Sequence, residues 1–388
     1  MKKMILTALV LCMPLNTALC GTAVLADDAP AAETNVQTEP TVYNITLNEA
    51  IEMAYKDNVE IRANELEQYG DEKSIAVANL AKKSASSTLN NLPASSSLSV
   101  SSNFQLYLTR DGYYLEAQRA ALRIAQKQAD KIKNTIAYNV TNSYYNLVLC
   151  SKLVNAAQNS YNLAAENQRF VEKQLALGMV AQLDYRNACL ATQSSANALA
   201  SYKLNRDIAC DNLKILLNID GENCTVNPTD DIECVEYISN VEKDIESAME
   251  SRFDLYSLME NRDLAEQYFE HAKALTEKSA EYNTAYASYI KADYNYTNTK
   301  KLIALSIRQA DNAMTTASSD MEVAKSKYEI TQSEYESSKL KYELGMITNT
   351  DLTEAINSLY QAQVSYANAK LNYRMAVEKY KYEISTGL

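Results

Sequence analysis

Glycine and proline are scarce in this chain, at seven and five of 388 residues, and tryptophan is missing altogether. No proline follows Pro228, and no glycine stands between Gly221 and Gly345. Folds rich in turns and strands consume these residues at nearly every reversal, so a gap this long points to helix. Histidine is reduced to His271, which cannot build a zinc site alone, and the cysteine spacings match none. A basic surplus is missing too: 37 Lys and Arg face 49 Asp and Glu. Nothing here would neutralise phosphates, which excludes nucleic acid as a partner. Past the N-terminus, no stretch approaches the ~20 continuous apolar residues of a membrane helix.

The N-terminus itself carries Lys2 and Lys3, an apolar run from Met4, and Val24-Leu25-Ala26 before Asp27. That order is the layout of a secretory signal over residues 1–26. A lipid anchor at Cys20 is the poorer alternative, because Leu19 stands where a small residue is wanted. Cleavage leaves 35 basic residues against 49 acidic ones, a net charge of −14, on an exported protein. It also leaves five cysteines, an odd number that rules out a fully paired framework. Cys224 and Cys234 form a candidate disulfide in an oxidising compartment.

What the chain does have is a repeat. Leu177-Gly178-Met179-Val180, followed by Asp184, returns 167 positions later as Leu344-Gly345-Met346-Ile347, followed by Asp351. A heptad seam precedes each turn. The first begins Ile136, Val140, Ser143, Leu147 and ends Val171, Leu175; the second begins Ile303, Ile307, Ala310, Met314 and ends Ser338, Tyr342. The spacing predicts long antiparallel helical hairpins, with Gly178 and Gly345 ending the descending helices at the tip turns. After the second turn, Leu352, Leu359, Tyr366, Tyr373 and Tyr380 alternate with alanines, a pattern for close helix packing.

The boundaries follow. Residues 27–43 read as a disordered linker, 44–220 as the first repeat, 221–240 as a connector and 241–388 as the second repeat. Thr46 and Glu49 form a capping-box pattern at the start of the first. Near the start of each repeat the register shifts to 194, so the first copy holds about 27 extra residues, within 84–112. There Leu98, Val100, Phe104, Leu106 and Leu108 alternate with polar neighbours, predicting a strand or loop insert with at most a short β segment near 97–110. The second copy is expected to reverse within 278–298, at Asp293–Asn298, where helix-weak residues cluster. The fold class is therefore all-α.

Leu47-x-x-Ala50-Ile51-x-x-Ala54, Asn58-Val59-Glu60-Ile61 and the two LGM turns, in this order and in duplicate, resemble the TolC family of outer-membrane efflux proteins. The resemblance implies a homotrimer enclosing a hollow α-barrel, in the outer membrane and periplasm, or in the envelope of a cell without an outer membrane. It implies tips docked by a periplasmic adaptor (membrane fusion) protein and served by an inner-membrane transporter. It places Asp184, Asp351 and Glu354 at an acidic entrance ring and makes Tyr342 a gate contact. The first two also read as helix caps. The family's arginine after the second turn has no counterpart, since Ile347 and Thr348 stand there. Its four barrel strands per protomer are mostly missing.

No nucleophile–base set, phosphate loop or redox motif appears, so neither an enzyme nor a cofactor is expected. Two functions remain: a passive duct of a tripartite efflux or type I export system, or a barrel-less helical envelope protein, structural or adaptor, with no pore of its own.

Overall fold

The computed structural model describes residues 41–91, 99, 103–219, 224–275 and 277–387. The signal reading lies outside them, as does the candidate linker up to residue 40. Residues 41–43 correct that linker's boundary: Thr41–Ile45 is a strand, β1. It is followed by helices α1 (Leu47–Tyr55), α2 (Val59–Asn90), α3 (Phe104–Asp111), α4 (Tyr113–Ala176) and α5 (Gln182–Leu216). Strand β2 (Cys224–Pro228) opens the connector. Then come α6 (Val241–Ser251), α7 (Phe253–Ala272), α8 (Ala280–Glu343) and α9 (Asn349–Ser385).

The two hairpins α4–α5 and α8–α9 dominate. Both descending helices have 64 residues, about 96 Å of rise. Every residue named above from their heptad seams is buried or half-buried, and Val140, Val171 and Ile307 are fully so. Such helices hold no stability of their own at this low mean hydropathy; the seams supply it by burying apolar side chains against α5 and α9. Helices α4 and α9 also touch, so the hairpins stand side by side.

Strands β1 and β2 pair in parallel, from Thr41 opposite Cys224 to Ile45 opposite Pro228. A two-stranded parallel ribbon is too small to stand alone. Tyr144 holds it: its buried hydroxyl donates to the Ile45 carbonyl at 2.9 Å and accepts from the amides of Thr229 and Asp230, each at 3.1 Å. That uses the full bonding capacity of the group. Asp230 accepts from the Leu47 amide at 2.7 Å and so caps α1 across 183 residues. Asp231 pairs with Lys152 at 2.8 Å. The Thr46–Glu49 capping box forms as expected.

Three sequence expectations need correction. First, the described part of the 97–110 segment is helical from Phe104 onward, not a strand. Phe104 and Leu108 lie four residues apart on one face of α3, and pack on Phe269, Ala272 and Ala285 at the end of the molecule opposite the tips. Second, the second copy reverses between Ala272 and Ala280, where Ser279 caps α8 by accepting from the Tyr282 amide at 3.1 Å. Asp293–Asn298 lies within α8, held there partly by Arg262 stacked 4.6 Å over Tyr296. Third, Cys224 and Cys234 are free thiols. Cys224 opens β2, while the Cys234 thiol faces the Lys370 carbonyl of α9 at 3.7 Å. His271 is also less isolated than its sequence suggests, with Nδ1 3.7 Å from an Asp111 oxygen.

Candidate functional site

The two tips are built alike. Each descending helix ends in a left-handed glycine, Gly178 at φ 68° and Gly345 at φ 71°. The Gly178 amide donates to Leu175 O at 2.9 Å and the Met179 amide to Gln174 O at 2.8 Å. In the second copy Gly345 donates to Tyr342 O and Met346 to Lys341 O at the same two distances. This is the paired 6→1 and 5→2 closure that satisfies the last helical carbonyls. The turns leave Leu177, Met179, Leu344 and Met346 all about two-thirds exposed or more.

The return helices start on the acids. Asp351 Oδ2 accepts from the Thr348 amide at 2.8 Å and hydroxyl at 2.7 Å, while Thr348 Oγ1 accepts from the Asp351 amide. Those bonds from Thr348 hold the Asp351 carboxyl below its ordinary value. Asp184 performs half of this, accepting from the Ala181 amide at 3.1 Å. Both carboxylates therefore cap helices, Asp351 exposed and Asp184 half-buried. Glu354 is exposed one turn beyond Asp351, and both border a groove between α8 and α9 with Glu334 and Lys341.

Tyr342 bridges the two tips. Its hydroxyl donates to Gln174 Oε1 at 3.2 Å, and its ring meets Phe170 edge-on with centroids 5.5 Å apart. Burial raises the phenol above its ordinary value, and the nearby Asp184 charge adds to the shift. The hydroxyl thus stays a donor across the physiological range. Between the hairpins lies a cavity of about 140 Å³ whose walls include Phe170, Tyr342, Leu352 and Ile356. Of the sequence-selected residues, the structure brings Gly178, Asp184, Gly345, Tyr342, Asp351 and Glu354 to one end and leaves Cys224 and Cys234 elsewhere.

Sequence reading missed the outward seams. Val59, Leu66 and Leu80 on α2, Leu183, Leu190 and Leu204 on α5, and Leu302, Val323 and Ile330 on α8 with Leu344 just past its end recur at multiples of seven and are 55% exposed or more. Their heptad spacing is visible in the sequence, but polar residues such as Lys73, Asn197 and Gln309 interrupt the rows, whereas the inward seams recur at every turn. Among the described residues no helix is long and apolar enough to cross a membrane, and no group of His, Cys, Asp and Glu could hold a metal ion.

No family description and no curated protein matches the chain. Solved structures do. The outer membrane channel CmeC of Campylobacter jejuni superposes with a TM-score of 0.66 at 17% identity, over 95% of this chain and 94% of that one. The outer membrane protein VceC of Vibrio cholerae gives 0.69 at 12% identity, over 88% and 96%. The MtrE outer membrane channel of Neisseria gonorrhoeae, in its open state, gives 0.68 at 14% identity, over 88% and 89%. The chain therefore has the fold of the TolC-like outer-membrane channels.

Proposed function

We propose that this chain is the protomer of an envelope duct, a passive conduit in an efflux or type I export system. The observation that carries this reading is the near full-length likeness to outer-membrane channels, with two matched tips at one end. In this reading the signal over residues 1–26 exports the chain, repeats 44–220 and 241–388 supply one tip hairpin each, and three protomers close a tube bearing six tips. The heptad rows of exposed Leu, Ile and Val on α2, α5 and α8 support such closure, since a monomer would leave them in water. Asp184, Asp351 and Glu354 would then ring the entrance with negative charge, with Tyr342 as the contact that opens. A periplasmic adaptor and an inner-membrane transporter would engage the tips. No cofactor or enzymatic step enters.

One observation favours the second reading, a barrel-less envelope protein. Where strands would leave the tube, α3 folds onto α7 and α8, and among the described residues β1 and β2 are the only strands. Membrane fractionation decides between the two. A duct stays with the outer membrane, or the envelope membrane, after carbonate washing and conducts in planar bilayers. Full release by carbonate without conductance would leave the structural or adaptor reading.

A further inference from the structure

Methionine is distributed in this chain in a way that sets the tips apart. Eight methionines fall among the described residues, and six of them are buried or half-buried, Met314 down to 4% exposure. The other two, Met179 and Met346, are 68% and 70% exposed and hold the same place in the two tip turns. Their backbones are fixed, since the Met179 amide donates to Gln174 O and the Met346 amide to Lys341 O. The glycine before each faces open space. Leu177 and Leu344 are also exposed, so each tip ends in a small apolar patch.

Exposure decides what an oxidant can do to a thioether. At Met314 the seam between α8 and α9 shields the sulfur, and an added oxygen would be a buried dipole without a donor. At the tips the sulfur meets solvent, and a sulfoxide oxygen is hydrated as it forms. The bonds that close each turn run from backbone to backbone. Oxidation there leaves the fold in place and changes only what the tip presents.

We propose that Met179 and Met346 are a matched pair of reversible oxidation sites, through which a peroxide makes both tips polar. The sulfur lone pair attacks one peroxide oxygen: the O–O bond breaks, the S–O bond forms, and the sulfur gives up two electrons. The other oxygen leaves as hydroxide and takes the proton, departing as water. A dithiol reductase reverses the step, its two thiols becoming a disulfide while the oxygen leaves as water. The consequence rests on the duct reading: an adaptor gripping the Leu-Gly-Met turns by apolar contact would hold oxidised tips more weakly. The modification itself does not, because the single chain already presents both sites.

The test treats the full mature protein with dilute hydrogen peroxide and follows its tryptic peptides by mass spectrometry. Peptides 174–186 and 342–370 carry the two sites, with no second methionine and no cysteine in either. One added oxygen on each is expected, at matching rates and at least about tenfold faster than at Met314. In urea the rates should converge. The two epimer-specific methionine sulfoxide reductases together are expected to remove both oxygens. On a hydrophobic-interaction column the oxidised protein should elute earlier, with an unchanged circular dichroism spectrum. Met179→Gln with Met346→Gln should reproduce that shift without oxidant, and Met179→Leu with Met346→Leu should abolish the response to peroxide. These readouts need neither membrane nor pore, so they separate this proposal from the duct reading. Equal rates at Met314 in the folded protein, oxidation of one tip alone, sulfoxides that resist both reductases, or unchanged elution would each overturn it.

Discussion

Tyr342 and Gln174 lie 168 residues apart in sequence and 3.2 Å apart in space, joining the last turn of α8 to the last turn of α4. The contact falls one residue out of the 167-residue register, so it is not a symmetric feature of the duplication. It makes the two tips a single unit. Tyr342→Phe should cost about 1 kcal/mol, because the half-buried Gln174 loses one hydrogen bond and only partly regains it from water. Its effect should be local: faster amide exchange at residues 172–179 and 339–347, with the α4 and α8 cores unchanged. Unaltered tip exchange would mean that the hydroxyl holds nothing.

Gly178 and Gly345 have no atoms near a would-be Cβ, so space is not what requires them. Their left-handed backbone is. Alanine at either site should destabilise by roughly 1 kcal/mol, and asparagine by less, in urea unfolding. A loss well beyond that would show that packing, not φ, selects glycine there.

Arg252 and Glu383 form an ion pair at 2.8 Å with 6% and 9% of their side chains exposed, fastening the start of α7 to the end of α9. Asp254 pairs with the same guanidinium and Ser306 donates to the same carboxylate. Arg252→Ala should cost about 3–5 kcal/mol, because it strands a buried carboxylate. Replacing both residues with Met and Leu should recover most of that. If the double variant is no better than the single one, the pair contributes more than mutual neutralisation.

Glu260 receives Arg123 in a two-pronged contact, Nε at 3.0 Å and the terminal nitrogen at 2.7 Å, linking α7 to α4. Tyr256 donates to it as well. The Arg123 bonds hold its pKa below the ordinary glutamate value of 4.5. The carboxylate therefore stabilises the fold at pH above that value, and this contribution is lost as pH falls through its lowered one. Glu260→Gln should be less stable than the parent at neutral pH and show a shallower loss in acid. Parallel pH profiles would refute the linkage.

The seams, caps and tip turns were legible because each is local: seven-residue spacing, a Thr and a Glu three apart, a glycine after a long helix. The α3 error has an equally local cause. Phe104, Leu106 and Leu108 satisfy a two-residue period, yet Phe104 and Leu108 also satisfy the four-residue spacing of a helix, and a short run cannot separate the two. Packing on Phe269 and Ala272 decided it. At Asp293–Asn298 weak propensity lost to contacts with α7, while Ser279 was the cap signal that marks the true helix start. The hydroxyls of Tyr144, Tyr373, Tyr380 and Tyr342 all end on protein partners that the sequence does not reveal. Asp230 and the Tyr144 clasp depend on residues 85 to 183 positions away, and no spacing rule reaches that far.

The central claim is that the outward heptad rows close three chains into a tube. Light scattering of the mature protein, purified with and without detergent, measures this most directly. A particle of three chains is predicted, falling to a folded, helical monomer when Leu190 and Val323 are both changed to Glu. A stable monomer of the unaltered protein at micromolar concentration in both conditions would contradict the claim.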